Sequence, residues 1–484
     1  MPLGLLLALI LAVPCLAASP QTEADRAREL EEAVRRFAAA YSIIEQNHAD
    51  AVVPEQQFYQ GAIPGMLRTL DPYSMFFDAE QFRVLQQHQQ SRSEGFGTIV
   101  TVTPGRVIVL EVFVGSPAAR AGIQPGDELL EVNGFPIDRL GVEEIVQVLT
   151  AARARQSRLL VLRPNSSKVE SIVASPVEMS SETVDRAFFL RPGIGYLHVT
   201  SFEAKTAEEV RRAIENFGGP LKGLVLDLRD NTGGVLNTAI DTAATFLPAG
   251  TALLTARGRY PEATKTFTVE TAHPAGQSVP LVVLVGPKTA SAAEIVAAAF
   301  QDHGRARLVG LRTFGKGTVQ SVYPLSSGTG LALATGRYVT PSGRFIERTR
   351  TARGGIDPDV EVAPHGYNDL QAYLEAYSLF LEFARQYIGN GRVIPADFEV
   401  SASLLDQFRG FLSDRDIPIR QKLWSDNQSY FRVRLKTEIY NLAFGVAKGD
   451  QVAAAADPQV RRALEVLSTG SPVPERARVS PAPR

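Results

Sequence analysis

Three short segments hold residue types that could do chemistry, each beside a glycine-rich or small-residue turn. In Gly286-Pro-Lys-Thr-Ala-Ser-Ala-Ala-Glu294, Ser291 precedes Ala292 and an apolar helical run to His303. Its hydroxyl would sit at a helix N-terminus, where the following N–H groups can serve an oxyanion. The same spacing, Ser291 to Glu294, is also a capping box, in which the serine only closes the helix. In Phe314-Gly-Lys-Gly-Thr-Val-Gln320, Lys316 stands between glycines at the start of a strand. If Lys316 to Gln320 is extended, their side chains share one face. A lysine buried by its surroundings loses its proton more readily and can accept that of a serine, with Gln320 orienting the amine. Taken alone, Lys316 also reads as a solvated loop lysine. The third segment, Lys222 to Val235, is a buried strand that leaves through a polar loop with Gly233 and Gly234 before a helix. Such a loop offers free N–H groups, although an ordinary strand-to-helix turn has the same composition.

Other chemistries fit less well. Gly310 to Lys316 carries the first part of a phosphate-binding loop, but Gly317 follows where Ser or Thr is required. His198, His273 and His303 could each serve Ser291 in an ordinary triad, yet none lies in a recognisable motif and Ser291 has no G-x-S-x-G elbow. All six histidines read as structural or surface residues. No H-E-x-x-H or comparable ligand spacing occurs, so neither a metal nor a cofactor is expected.

The elements that must position these residues change in character along the chain. Residues 22–90 are rich in Ala and Glu, with Ala33, Phe37, Ala40, Tyr41 and Ile44 at helical spacing, and predict two or three helices. Gly61 to Ser74 reads as a helix running into an Asp-Pro turn. Residues 91–177 switch to short β-type runs, Thr98–Thr103, Val107–Val112, Glu128–Val132 and Leu159–Leu162, with an amphipathic helix over Gly141–Arg153. In residues 178–364, strands at Ile194–Phe202, Leu221–Leu228 and Leu281–Val285 alternate with helices, which argues for an α/β domain. Residues 365–467 are helical and amphipathic. The Pro-rich tail 468–484 predicts disorder.

Composition excludes several classes. The 484 residues carry 50 basic and 52 acidic side chains, a net charge of -2, which argues against a nucleic-acid binder held by a basic surface. With 39 Gly and 30 Pro, collagen-like and low-complexity readings fail. Residues 1–18 form an uncharged apolar run ending in small residues, as in a secretory signal peptide, although no Lys or Arg precedes it. The single cysteine, Cys15, lies there, so cleavage after Ala18 would leave no thiol; uncleaved, the segment would act as a weak anchor.

The element order of residues 91–177, with Ser116 to Gly122 as a short helix and Gln124-Pro-Gly-Asp127 as a turn, resembles a PDZ domain. PDZ folds take a peptide's C-terminus as an added strand. The loop for its carboxylate would be Glu94-Gly95-Phe96-Gly97, with Thr98 following. Together with Gly61 to Ser74, Asp227 to Gly234, Thr289 to Glu294, Gly315 to Gln320, Thr335 to Gly343 and Gly355 to Asp359, this pattern resembles the carboxy-terminal processing peptidases, or tail-specific proteases. The resemblance covers roughly Gly61 to Asp359. It implies an α+β multidomain fold: a helical N-terminal region, a PDZ domain, an α/β protease core of crotonase- or Clp-protease-like topology, and a helical C-terminal region. It also implies a serine endopeptidase with Ser291 as nucleophile, Lys316 as base and Gln320 in support. Gly233 or Gly234, with Ala292, would supply the oxyanion donors. Substrates would be proteins with an apolar C-terminus, and an adaptor protein, a homodimer through terminal helices and a periplasmic or cell-envelope location are expectations of the same kind. Two departures stand out. Thr98 replaces a common aliphatic residue, and Ala154 to Arg158 lacks a Pro-Gly-Thr turn. The competing reading is a PDZ-type peptide-binding scaffold with an inactive or gated protease domain.

Overall fold

The computed structural model describes residues 23–89, 92–113, 115–163, 168–180, 182–259, 263–349, 351–389 and 392–469, so the apolar segment 1–18, expected to be a signal peptide, lies outside the described residues. The chain forms two compact units, Met1–Phe76 and Phe77–Arg484. In the first, α1 (Glu23–Asn47) is followed by a π-helical turn and α2 (Ile63–Leu70). Phe37 and Tyr41 of α1 pack on Phe58, while Leu30, Val34, Ile43 and Ile44 stay exposed. Asp71 fixes the Asp-Pro turn, its carboxylate accepting from the Tyr73 and Ser74 N–H groups and the Ser74 hydroxyl. The chain passes into the second unit through the short strand β1 (Met75–Phe77).

The second unit begins with α3 (Ala79–Gln89) and β2 (Arg92–Gly95). A small sheet follows from β3 (Thr98–Thr103), β4 (Arg106–Val112), β5 (Glu128–Val132), β6 (Phe135–Pro136), β7 (Ser157–Leu162) and β8 (Val169–Ala174). Its order is β3-β4-β5-β7-β8, with β6 on β5, so β3 is an edge strand with β4 as its one neighbour among the described residues. Val107, Val109, Leu129, Leu159 and Val161 alternate inward and meet Ile145 of α5 (Val142–Ala152) and Ala118 of α4 (Pro117–Arg120). Strand β9 (Val177–Ser180) then returns to pair with β2, closing this sheet's two chain ends together.

The large sheet has the order β10-β11-β12-β15-β16-β19. Here β10 (Val184–Arg191) is antiparallel to β11 (Ile194–Val199), and β12 (Gly223–Asp227), β15 (Leu281–Val285), β16 (Ala306–Gly310) and β19 (Val360–Glu361) continue in parallel. Its central strands are apolar, β15 throughout and β12 up to Asp227, because both faces are covered. One face packs on α6 (Thr206–Asn216), α7 (Leu236–Ala243) and α8 (Ala292–Asp302). The other meets Val460 and Ala463 of α14 (Pro458–Thr469), a helix from the far end of the chain that runs into the tail expected to be disordered. A second sheet places β18 (Gly330–Val339) between β13 (Ala252–Gly258) and β17 (Thr318–Pro324), with β14 (Lys265–Thr268) outside β13.

The C-terminal helices α9 (Asp369–Ala376), α10 (Leu379–Ile388), α11 (Ala402–Ser413), α12 (Gln421–Phe444) and α13 (Val446–Ala456) enclose their own aromatic core of Phe380, Phe383, Phe408, Trp424 and Phe431. They bind the small sheet through charge. Arg106 of β4 holds Glu128 of β5 (2.9 Å) and Glu382 of α10 (3.0 Å), and Arg385 of α10 reaches the same Glu128 (2.8 Å).

Candidate active site

The three chemistry-bearing segments leave the carboxyl ends of neighbouring parallel strands β12, β15 and β16, the usual place for a ligand crevice in an open α/β sheet. Loop-to-loop bonds hold them in one layer. Thr289 donates its hydroxyl proton to the Leu228 carbonyl (2.7 Å), and the Ala290 N–H bonds the Asn231 carbonyl (3.0 Å). The Phe314 N–H then bonds the Thr289 carbonyl (3.0 Å).

Ser291 stands at the N-terminus of α8 with φ 57° and ψ -120°. A β-carbon in the left-handed region costs about 1–3 kcal/mol, and such strain gathers at sites where the surroundings impose a geometry. The capping reading holds only by half. Glu294 accepts the Ser291 N–H (3.0 Å), but the Glu294 N–H is met by the Ser291 carbonyl (3.0 Å) and not by its hydroxyl.

Glu294 does more than cap. Its side chain is fully buried, and its carboxylate accepts four hydrogen bonds, from Ser291 N–H (3.0 Å), Thr313 Oγ1 (2.5 Å), Gly315 N–H (2.7 Å) and Lys316 N–H (2.8 Å). One carboxylate therefore ties the serine-bearing segment to the lysine-bearing one. Burial pushes this carboxyl up, and the four donors oppose that shift.

Lys316 is half-buried, and desolvation lowers its amine below the ordinary lysine value while the nearby Glu347 pulls it back up. Glu347 is fixed by the Gly317 N–H, which donates to its Oε2 (2.8 Å). Gly317 itself has no room for a side chain, since a Cβ there would lie 2.3 Å from the Glu347 nitrogen. The run from Lys316 to Gln320 lies in β17 only from Thr318 onward. Strand β17 starts at Thr318, and its register shifts between Val319 and Gln320. The extra residue at that shift is Thr335 of β18, and Gln320 lies half-buried opposite Ala334. The Tyr338 N–H donates to the Gly317 carbonyl at 2.7 Å, which carries the pairing with β18 one residue back from Thr318.

Gly233 and Gly234 adopt φ 104° and 140°. A Cβ on Gly233 would lie 2.8 Å from the Ser291 Cβ and 3.1 Å from the Ala292 nitrogen, so this loop presses against the serine. The Gly233 N–H is committed to Asn231 Oδ1 (2.9 Å), whose amide also donates to the Val199 carbonyl (3.0 Å). The Gly234 and Ala292 N–H groups have no acceptor among the described residues. At the end of β12, Asp227 takes the Tyr196 hydroxyl (2.7 Å) and the Arg229 guanidinium (2.5 Å), and Arg229 continues to Asp457 (2.6 Å) beside α14. Burial pushes the Asp227 carboxyl up, but the guanidinium wins and holds it below the usual range.

Two of the three candidate histidines serve other contacts. His303 caps the far end of α8, about 16 Å of helix from Ser291, and bonds the Ala252 carbonyl (2.6 Å). His198 pairs with Asp185 (2.5 Å). The described residues contain no group of His, Cys, Asp and Glu suited to a metal, and no helix long and apolar enough to cross a membrane.

In the small sheet, Gly97 turns the chain with φ 78° between β2 and β3. The Phe96 and Gly97 carbonyls accept from Ala118 and Phe113 (2.9 Å each). Gly95 ends β2 and Thr98 opens β3. Beside them a cavity of about 30 Å³ is lined by Phe96, Thr98, Val100, Leu149, Ala152 and Arg153.

Sequence reasoning overlooked Asn231 and Glu347 and gave Glu294 only a capping role. The one signal for the loop geometry was Asp227-Leu-Arg229, a charged pair where an apolar strand leaves the sheet.

Comparison with known proteins gives the chain's family. Peptidase family S41 matches residues 193–362, a PDZ domain matches 108–163, and the activating protease CtpB N-terminal domain matches 15–81. The chain is 29% identical over 358 residues to the carboxy-terminal processing protease CtpB of Bacillus subtilis, covering 73% of this chain and 72% of that one. It is 33% identical over 313 residues to the carboxy-terminal-processing protease of Bartonella bacilliformis, covering 64% and 70%. A photosystem II D1 C-terminal processing protease of known structure matches with 26% identity, over 69% of this chain and 92% of that one, at a TM-score of 0.39. The family profiles and the two sequence relatives establish that the chain belongs to the carboxy-terminal processing proteases of peptidase family S41, with a PDZ domain preceding its peptidase core.

Proposed function

We propose that the chain is an exported serine endopeptidase that cuts proteins whose apolar C-terminus is held by the PDZ domain, using Ser291 as nucleophile and Lys316 as base. The observation that carries this reading is the Glu294 carboxylate, which bonds the main-chain N–H of both residues at once. In the first step the Lys316 amine takes the proton of the Ser291 hydroxyl as its oxygen attacks the scissile carbonyl carbon. The Ala292 and Gly234 N–H groups, without another acceptor among the described residues, meet the oxyanion; Gly233 gives close approach instead of a donor. Lys316 returns the proton to the leaving amine, and the acyl-enzyme forms. Water then attacks the ester with Lys316 again as base, releasing the acid and restoring Ser291. Gln320 supports the amine.

The Gly95 to Thr98 loop and the apolar cavity beside it would take the substrate's C-terminal carboxylate and last side chain. Export rests on the apolar segment 1–18. A homodimer would cover the exposed apolar side chains of α1, and an adaptor could deliver substrates. The test is cleavage of an unfolded protein with an apolar tail by the mature protein and by Ser291→Ala, repeated with the tail made charged. Cleavage that needs Ser291 and weakens with the charged tail supports the reading. Binding of the tail without any cleavage by the wild type favours the scaffold reading instead.

A further inference from the structure

We propose that the peptide groove of the PDZ domain continues into a second subsite whose far wall is the C-terminal helical region. This subsite takes the substrate chain about four to six residues before its end and favours lysine or arginine over glutamate there. The inference rests on the tail-binding reading above.

The direction of the groove follows from the elements that flank it. Strand β3 has one free edge, and α5 packs alongside it. The start of β3 shares a cavity with Leu149 and Ala152 from the end of α5, whereas the end of β3 shares another with Val142 from its beginning. Helix and strand therefore run in opposite directions. A peptide added antiparallel to β3, its carboxylate at Gly95 to Thr98, must run toward Thr103. At about 3.4 Å per residue it passes Val100 after two or three residues and reaches Thr103 after about five.

At that point lies a cavity of about 550 Å³, far larger than the one at the carboxylate loop. Its near wall includes Thr101, Thr103 and Val142, and its far wall includes Glu375, Ser378 and Glu438 of the C-terminal helices. Two carboxylates there share one guanidinium. Arg434 bonds Glu375 (2.6 Å) and Glu438 (2.6 Å), and the Tyr430 hydroxyl and Asn441 amide complete their shells. An added acidic side chain would meet two like charges and a guanidinium already occupied, whereas an added cation meets attraction from both carboxylates. The wall is also held in place. The Arg106, Glu128, Glu382 and Arg385 ion pairs join it to β4 and β5, and Ser378 keeps a strained φ of 51° at the corner between α9 and α10.

The test uses the full chain with Ser291→Ala, so that peptides bind without being cut, and reads fluorescence anisotropy. Three labelled peptides share one apolar end: a tail of about four residues, one of about ten with lysines at the fifth and sixth places upstream, and the same with glutamates. The lysine tail is expected to bind about tenfold tighter than the short one, the worth of one or two main-chain hydrogen bonds, and the glutamate tail to lose that gain. Ala376→Trp, on an exposed position of the far wall, should bring the lysine tail close to the short one. Equal affinity for all three peptides, abolished by amidating their C-termini, overturns the second subsite while leaving tail binding intact. Binding that ignores amidation overturns the tail-binding reading itself. The length series needs no variant beyond Ser291→Ala, so a misfolded Ala376→Trp would not spoil it.

Discussion

Replacing Glu294 by glutamine removes one charge and one acceptor from the centre of the site while keeping its shape. Four donors face that carboxylate, two on each oxygen: Thr313 and Gly315 on Oε1, Ser291 and Lys316 on Oε2. A glutamine has one acceptor oxygen, so two donors must face its NH₂. The least costly arrangement puts the NH₂ toward Thr313, whose hydroxyl can turn, and leaves the Gly315 N–H without an acceptor. An orphaned buried donor costs about 1–3 kcal/mol, and the two surviving bonds lose their charge assistance, for about 2–4 kcal/mol in total. The segment best able to relieve that cost is Gly315–Lys316, which would move the base away from Ser291. Expressed as lost transition-state stabilisation, this is a fall of about 30- to 1000-fold in kcat. The assay is single-turnover acylation by a labelled peptide, alongside circular dichroism to show that the variant is folded. A folded Glu294→Gln protein with kcat within about threefold of wild type would refute the view that this carboxylate holds the two segments in register.

Three further outcomes follow from the same geometry. Lys316 works as a base only when neutral, so kcat/KM should rise with pH along a limb whose midpoint lies below the ordinary lysine value; Glu347→Gln removes the charge that raises the amine and should move that limb to lower pH, which a pH–rate profile reads directly. Gly233→Ala places a Cβ 2.8 Å from that of Ser291 at φ 104°, and should cost about 1–3 kcal/mol in denaturant midpoint and most of the activity. Arg385→Ala leaves the Gly126 carbonyl unpaired and Glu128 with Arg106 alone, and should destabilise by about 1–3 kcal/mol with faster amide exchange in β5.

Where local pattern decides structure, the sequence was legible. Strands Thr98–Thr103, Glu128–Val132 and Leu281–Val285 form with the predicted bounds, because alternation or an unbroken apolar run is a signal contained within each segment. Strand β16 (Ala306–Gly310) escaped, since five residues that include Arg307 and end in Gly310 carry little pattern of their own and are placed by pairing between β15 and β19. The site was readable as residue types and much less as geometry. Ser291 and Glu294 are three apart and announce a helix start, but Glu294's bonds to Gly315 and Lys316 span more than twenty positions and depend on β16 returning beside β15. The bulge at Thr335 of β18, opposite Val319 and Gln320, is likewise set by pairing between distant segments. After residue 365 the pattern gave amphipathic helices but not what they pack on: α14 seals the second face of the large sheet, and α10 holds the PDZ sheet by ion pairs.

The central claim is that Ser291 is activated by Lys316 and by no histidine. It is tested most directly by measuring acylation of Ser291 in the wild type, Lys316→Ala and His198→Gln, by mass of the trapped acyl-enzyme across neutral to alkaline pH. The account predicts acyl-enzyme in the wild type and in His198→Gln, and none in Lys316→Ala. Acylation that survives the loss of Lys316 and disappears with His198 would contradict it.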